Sequence, residues 1–123
     1  MKLSFEIYTT KVLECKAFYT QHFDFEVKVE IEGFVILKHK HNPYYELLFC
    51  IPNSPFVNPI FHPEFNGRGA ILQMEVKDVE AAFLRIKNRN IPIKVRLVNE
   101  LVNGHHFTIQ DPSGLLIDIV QYS

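Results

Sequence analysis

The sequence predicts an α+β fold made of two copies of one β-α-β-β-β module. Two stretches present the same strand, helix and strand patterns at the same spacing, namely FEIYTTKVLECKAFYTQHFDFEV and LQMEVKDVEAAFLRIKNRNIPIKV. Further apolar segments follow each stretch and end at YYELLFCI and LLIDIVQY. A repeat of this length indicates two matching supersecondary units. We therefore expect module one at residues 1–51, a connector at residues 52–69 and module two at residues 70–123.

The first module opens with a strand. In SFEIYT, Phe5 and Ile7 alternate with Glu6 and Tyr8, as in a half-buried strand. Residues 11–23 predict a helix, because apolar side chains recur there at steps of three and four. The next residue, an aspartate, suits the left-handed conformation that often follows a helix. Three strands are then predicted in FEVKVEIE, GFVILKH and YYELLFCI, with HNP as a turn.

The connector, PNSPFVNPIFHPEFNGRG, contains four prolines and no periodic pattern. Since proline interrupts helices and strand ladders, we expect no regular structure here. The apolar content is nevertheless too high for a free linker. We expect these side chains to pack against a module or subunit surface: Phe56, Ile60, Phe61 and Phe65.

The second module repeats the order of the first. AILQMEV predicts a strand, and Asp78 is a candidate N-cap for the helix that follows. The helix has a buried stripe and ends near Asn90, which occupies the same place as Asp24 in the first module. The last three strands are predicted in IPIKVRLV, HHFTIQ and LLIDIVQ. DPSG joins the final two strands as a turn, since proline presets φ and glycine permits positive φ.

Composition limits the function classes. The chain of 123 residues has a formal net charge of -1, so it lacks the basic surplus of a nucleic-acid-binding protein. No apolar run approaches the ~20 residues of a membrane span, and MKLSFEIYTT lacks the apolar core of a signal peptide. Cys15 and Cys50 have no motif spacing, and we expect free buried thiols. These features predict a cytoplasmic protein.

Strand parity predicts which side chains face the helices. The apolar sides of the two opening strands should face them: Phe5, Ile7, Leu72, Met74 and Val76. The opposite parity should face away: Ser4, Glu6, Tyr8, Ile71, Gln73 and Glu75.

Two acids, Glu46 and Asp118, interrupt otherwise apolar closing strands. An unpaired acid is costly to bury. Two interpretations are open for both residues. Each acid either reaches water or an arginine such as Arg68 or Arg96, or it contributes to a ligand-binding site.

Three segments resemble the vicinal oxygen chelate superfamily: KAFYTQHFDFEV, MEVKDVEAAF and GHHFTIQDPSGLLIDIVQ. This superfamily includes glyoxalase I, extradiol dioxygenases and bleomycin-resistance proteins, and the resemblance covers almost the whole chain. It implies one domain over residues 1–123 in which two curved mixed sheets enclose a cleft. It also implies a homodimer, often with modules exchanged between chains.

The resemblance also implies where a divalent metal would bind. The four family positions correspond to Ser4, Glu46, Ile71 and Asp118, and relatives often have histidine at the first and third. Isoleucine offers no donor, and a serine hydroxyl is a poor ligand for zinc or iron. We therefore expect no metal cofactor; if a divalent ion binds, Glu46 and Asp118 would hold it.

The expected cleft has candidate ligand-binding residues on several strands: Glu6, Tyr8, Tyr44, Glu46, Gln73, His106 and Asp118. Its acids, which also include Glu75, favour a cationic or amine-bearing ligand. The first hypothesis is a metal-independent protein that binds a small drug or metabolite, as in the bleomycin-resistance branch. The alternative is a metal-dependent lyase, isomerase or dioxygenase that uses both carboxylates with His106 or another histidine.

The histidines have competing interpretations. His39 and His41 form an H-x-H pair that either holds a metal or is solvated at a hairpin end. If Phe107 faces the core, His106 faces the cleft; otherwise it is a partly exposed residue at the start of a strand. The sequence shows no nucleophilic triad and no glycine-rich phosphate loop.

Overall fold

The structure is a computed structural model that describes all residues from 1 to 123. It contains two compact units, residues 1–66 and 67–123, and each consists of one four-stranded sheet and one α-helix. The predicted α+β class and the repeated β-α-β-β-β modules are confirmed. Neither α-helix has the length and apolar composition that crossing a membrane requires.

The first unit follows the predicted order of elements. These are β1 (Leu3–Tyr8), α1 (Val12–His22), β2 (Phe25–Ile31), β3 (Phe34–His39) and β4 (Tyr45–Cys50). The strand order across the sheet is β1-β4-β3-β2, so β1 and β2 form the edges. Strand β1 runs parallel to β4, and the other pairs are antiparallel, so the sheet is mixed.

The second unit has the same topology. Its elements are β5 (Ile71–Glu75), α2 (Val79–Asn88), β6 (Val95–Glu100), β7 (Gly104–Gln110) and β8 (Leu116–Gln121). The strand order is β5-β8-β7-β6, with β5 parallel to β8. The repeat in the sequence is therefore a repeat of strand order as well as of element order.

The helix boundaries depend on the residues that the sequence analysis selected. Asp78 accepts a hydrogen bond from the Ala81 amide at 3.0 Å and so caps α2. Asp24 and Asn90 follow the two helices with φ of 59° each, in the left-handed region that these residue types tolerate. The DPSG turn also forms, since the Asp111 carboxylate accepts the amide of Ser113 at 2.8 Å.

Each helix covers one face of its own sheet. Tyr19 of α1 is fully buried, and its ring lies 5.6 Å from that of Phe49 on β4. In the second unit, Phe83 of α2 meets Phe107 of β7 edge to face at 5.1 Å. Ile7 is buried as predicted, but Phe5 is 42% exposed, because β1 is an edge strand with a neighbour on one side only.

The connector differs from the prediction in one respect. Pro59–Phe61 forms a short 3₁₀ turn, because Asn58 accepts the Ile60 amide at 3.0 Å and proline suits the first helical position. The rest is irregular and is tied to the end of β1, where the Phe65 amide donates to the Tyr8 carbonyl at 2.9 Å.

The apolar side chains of the connector are only partly packed. Phe61 stacks on Tyr8 with ring centroids 6.0 Å apart, but Phe56 is 96% exposed and Ile60 is also exposed. The expected packing against a module is therefore wrong for Phe56 and Ile60. A contact with another subunit stays a prediction for them.

Candidate functional site

In each unit the helix covers one sheet face, and we call the other face the open face. On the open face of the first unit, one row of side chains crosses all four strands. The pairing of the strands places these residues side by side: Ser4, Glu46, Lys38 and Glu26. The row places Lys38 beside Glu46, a neighbour that the sequence did not predict for this acid.

Glu46 is buried in this row and is held by two lysines. Its Oε2 forms ion pairs with Lys2 Nζ and with Lys28 Nζ, the latter at 2.8 Å. Its Oε1 accepts a hydrogen bond from the Ser4 hydroxyl at 3.3 Å. The two ammonium groups lower the pKa of Glu46 to about 2. The carboxylate is therefore ionised, and its partners are lysines instead of the arginines that the sequence analysis considered.

The aromatic candidates of the first unit lie in different settings. Tyr8 is half-buried at the end of β1, and its hydroxyl donates to the Glu6 carboxylate at 3.3 Å. Burial, followed by the charge of Glu6, raises the pKa of Tyr8. Tyr44 was expected on the closing strand, but it lies in the preceding turn and is exposed. Its amide donates to the Asn42 side chain at 3.0 Å, so β4 begins one residue later.

The open face of the second unit carries a cluster of polar side chains that we call the His106 cluster: Glu100, His106, Thr108 and Asp118. His106 Nδ1 lies 2.7 Å from Asp118 Oδ1, and His106 Nε2 lies 2.8 Å from Glu100 Oε1. Thr108 donates its hydroxyl proton to Asp118 at 3.3 Å. His106 and Asp118 are both buried. The predicted parity holds in this unit, since Phe107 faces α2 and His106 faces away from it.

The charge state of His106 follows from this geometry. Both ring nitrogens face carboxylate oxygens, and both can donate only in the imidazolium form. Burial alone would lower the pKa of His106, but the hydrogen bonds to Asp118 and Glu100 outweigh it and raise the pKa. The two carboxylates therefore favour the protonated, cationic form of His106.

Glu100 is a member of the cluster that the sequence analysis missed. It lies at the end of β6, and its second oxygen accepts the Asn103 side-chain amide at 2.9 Å. That hydrogen bond, followed by the one from His106, lowers the pKa of Glu100. The signal that could have found it is the turn ELVNG between two strand patterns, because a hairpin places the residues before the turn beside the histidines after it.

The pairing of β5 with β8 determines which side chain adjoins Asp118. Gln73 lies directly beside Asp118, whereas Ile71 lies beside Leu116. Gln73 and Glu75 are both exposed on the open face. An amide is therefore the nearest side chain of β5 to the buried acid, and Gln73 stays a candidate for contacting a ligand.

The other histidines and the cysteines do not form a reactive group. His39 Nδ1 accepts the amide proton of His41 at 3.2 Å, so the lone pair of that nitrogen is already used. Cys15 and Cys50 form no disulfide and are buried, as predicted. Burial also raises the pKa of Cys50, which keeps it a thiol.

A family model covers nearly all of these elements. Residues 3–119 match the model described as the Glyoxalase/Bleomycin resistance protein/Dioxygenase superfamily. The chain belongs to this superfamily. No curated protein sequence matches the chain.

Solved structures of this superfamily fold align over almost the whole chain. TnmS3, an antibiotic binding protein from Streptomyces sp. CB03234, aligns with a TM-score of 0.75 at 20% identity over 100% of this chain and 96% of that chain. A glyoxalase/bleomycin resistance protein/dioxygenase from Nocardioides aligns with a TM-score of 0.82 at 16% identity, over 99% of this chain and 83% of that chain. Lactoylglutathione lyase from Agrobacterium tumefaciens aligns with a TM-score of 0.72 at 21% identity, over 98% of this chain and 92% of that chain. At these identities the likeness shows the fold alone.

Many members of the superfamily use a divalent metal, and the four family positions test whether this chain fits one. Ile71 has no donor atom, and the Ser4 hydroxyl donates to Glu46. Both carboxylates already contact side-chain cations, Glu46 through lysines and Asp118 through His106. No group of three or more histidine, cysteine, aspartate and glutamate side chains is arranged to hold a metal ion. These donors do not fit the metal that the superfamily implies.

Proposed function

We propose that this protein binds a small molecule without a metal cofactor. The observation that supports this proposal is that the chain supplies its own cations to both carboxylates at the family metal positions. Glu46 contacts two ammonium groups, and Asp118 contacts the His106 imidazolium. TnmS3, which has the same fold, is an antibiotic binding protein, and this gives the proposal a precedent within the fold.

A metal would have to displace these cations. Removing one partner from a buried ion pair leaves an uncompensated charge, which costs several kcal/mol. Zinc and iron sites recover such a cost through several correctly placed ligands. In this chain Ile71 supplies none, so the exchange of a side-chain cation for a metal is unfavourable.

The open face of the second unit favours a cationic group on the ligand. It carries three carboxylates, those of Glu75, Glu100 and Asp118, against the single imidazolium of His106. The excess negative charge attracts an amine or other cation. Gln73, beside Asp118, adds an amide that can donate or accept a hydrogen bond. We propose Gln73, His106 and Asp118 as ligand-contacting residues.

A panel of basic antibiotics and amine-bearing metabolites, screened by thermal stabilisation in the presence of EDTA, tests this proposal. For a compound that binds, Asp118→Asn should weaken the affinity about tenfold, or roughly 1.4 kcal/mol, because one carboxylate is neutralised. Glu80→Gln is the matched control, since Glu80 is an exposed acid in the first turn of α2. Ligand binding or turnover that requires an added divalent ion would instead support a lyase, isomerase or dioxygenase.

We also propose that the protein is a homodimer and acts in the cytoplasm. The exposed Phe56 and Ile60 of the connector are candidates for the subunit contact. Light scattering should then give about twice the chain mass of 14.4 kDa, and Phe56→Ser/Ile60→Ser should shift the mass towards that of one chain.

A further inference from the structure

We infer that the open face of the first unit holds an anionic group of a ligand between Lys2 and Lys28. The group is a carboxylate or phosphate attached to an apolar body. This group of side chains has the opposite charge preference to the His106 cluster. It goes beyond the proposed binding of a cation, and it stands whether or not that proposal holds.

The charges on this part of the face favour an anion. Around the buried Glu46, ammonium groups outnumber carboxylates: Lys2, Lys28 and Lys38 face Glu26 and Glu46. These five side chains together carry one excess positive charge. Glu6 lies two residues further along β1, about 6.6 Å away along the strand, so it adds its charge to the next row.

The two lysines have donors to spare. Both ammonium groups contact the same oxygen of Glu46, and the other oxygen accepts the Ser4 hydroxyl. An ammonium group has three N–H donors, so each lysine retains donors beyond the one directed at Glu46. The side chains of Lys2 and Lys28 are 38% and 43% exposed, so these donors reach solvent.

Glu46 has a positioning role in this arrangement. Two ammonium groups repel each other, and the buried carboxylate holds both beside a single oxygen. They therefore lie close enough to bind one anionic group together. A charge-assisted hydrogen bond from each lysine is stronger than one between neutral groups.

The rows next to the lysines are apolar on β2, β3 and β4, and they end on β1 at Glu6 and Tyr8. Strand pairing places Leu48 beside Ile36 and Val29, and Cys50 beside Phe34 and Ile31. Leu48, Ile36 and Phe34 are half-buried, and Val29 and Ile31 are exposed. Across β2, β3 and β4 the open face thus has a positive end and an apolar part, which together match an acid with a hydrocarbon or aromatic body.

Calorimetric titration with octanoate and octyl phosphate tests the inference, with octylamine as the probe of opposite charge. Lys2→Gln/Lys28→Gln should raise the Kd of whichever anion binds at least tenfold. Lys11→Gln/Lys16→Gln is the matched control, because it removes two lysines that pair with Glu14 and Glu30. The control should change that Kd less than twofold.

A second variant keeps the test decisive if the double lysine variant fails to fold. Lys28→Gln alone keeps the ion pair of Lys2 with Glu46 and removes one of the two ammonium groups, so the Kd of the anion that binds should rise several-fold. The inference is wrong if neither anion binds the unmodified protein, if Lys2→Gln/Lys28→Gln binds the anion as tightly as Lys11→Gln/Lys16→Gln does, or if Lys28→Gln leaves the Kd unchanged. Octylamine tests the proposed function instead, since its binding should depend on Asp118 and not on Lys2 or Lys28. Either proposal can therefore fail while the other holds.

Discussion

At the scale of single residues, Glu46 links folding to pH. Its pKa is about 2 in the folded protein against an ordinary 4.5. A carboxylate with a depressed pKa contributes stability above its unfolded pKa and loses it as the pH falls through the folded value. The free energy of unfolding should therefore decrease between about pH 4.5 and pH 2, and part of that decrease should disappear in Glu46→Gln.

Urea unfolding at several acidic pH values measures this effect. Glu14→Gln is the control, because Glu14 is exposed and lies 3.9 Å from its lysine partner. An acid dependence that is the same in Glu46→Gln and in the unmodified protein would show that the lysines do not hold this carboxylate.

His106 gives a prediction of the opposite sign. Its folded pKa is raised above the ordinary 6.5 by two carboxylates. The stabilisation is complete below the unfolded pKa and is lost as the pH rises through the folded pKa. NMR titration of the ring should place its midpoint above 6.5, and Asp118→Asn should lower that midpoint. A midpoint that does not move in Asp118→Asn would contradict the observed hydrogen bond.

The two thiols should be inert in the folded protein. Cys15 and Cys50 are buried, and burial raises the pKa of Cys50, so neither presents an exposed thiolate. A chromogenic disulfide reagent should label neither thiol within minutes under native conditions and both in guanidinium chloride. Rapid labelling of Cys50→Ser would show that Cys15 is more accessible than its burial indicates.

At the scale of helices and strands, the cap of α2 is the simplest feature to test. Asp78→Ala removes the hydrogen bond to the Ala81 amide and should cost about 1 kcal/mol of unfolding free energy. Asp78→Asn keeps a side-chain acceptor and should cost much less. Thermal or urea unfolding measures both, and equal losses in the two variants would show that charge, and not capping, is what Asp78 contributes.

The elements could be predicted from the sequence because their determinants are local. The cap at Asp78 and the left-handed residues Asp24 and Asn90 depend on side chains within a few positions. Parity within one strand was also sufficient to place His106 opposite Phe107. The error at Tyr44 arose from a turn bond to Asn42 that the alternating pattern does not reveal.

The partners of the buried acids could not be predicted in the same way. Lys2 and Lys28 reach Glu46 from outside its own strand, and Glu100 reaches His106 across a hairpin. These contacts depend on strand order, on register and on the irregularity between Val27 and Val29. Consequently the expectation of a uniformly acidic site is corrected in the first unit, where lysines surround Glu46.

At the scale of the whole molecule, one repeated module has two kinds of open face. The strand order is the same in both units, but the buried acid of the first unit is held by two lysines and the second unit carries excess carboxylates. Membership of the superfamily and likeness to solved structures establish the fold, and the fold hosts more than one function. Whether the side chains at the four family positions can ligate a metal therefore distinguishes a binding protein from a metalloenzyme on this fold.

Metal content is the measurement that separates these two functions most directly. The tag-free protein would be incubated with zinc, nickel, manganese and iron(II), desalted and measured by elemental mass spectrometry, beside Glu46→Ala and Asp118→Ala. We predict well below one ion per chain in all three proteins, because side-chain cations already neutralise both acids. Retention of about one ion per chain by the unmodified protein, lost in both variants, would contradict metal-independent binding.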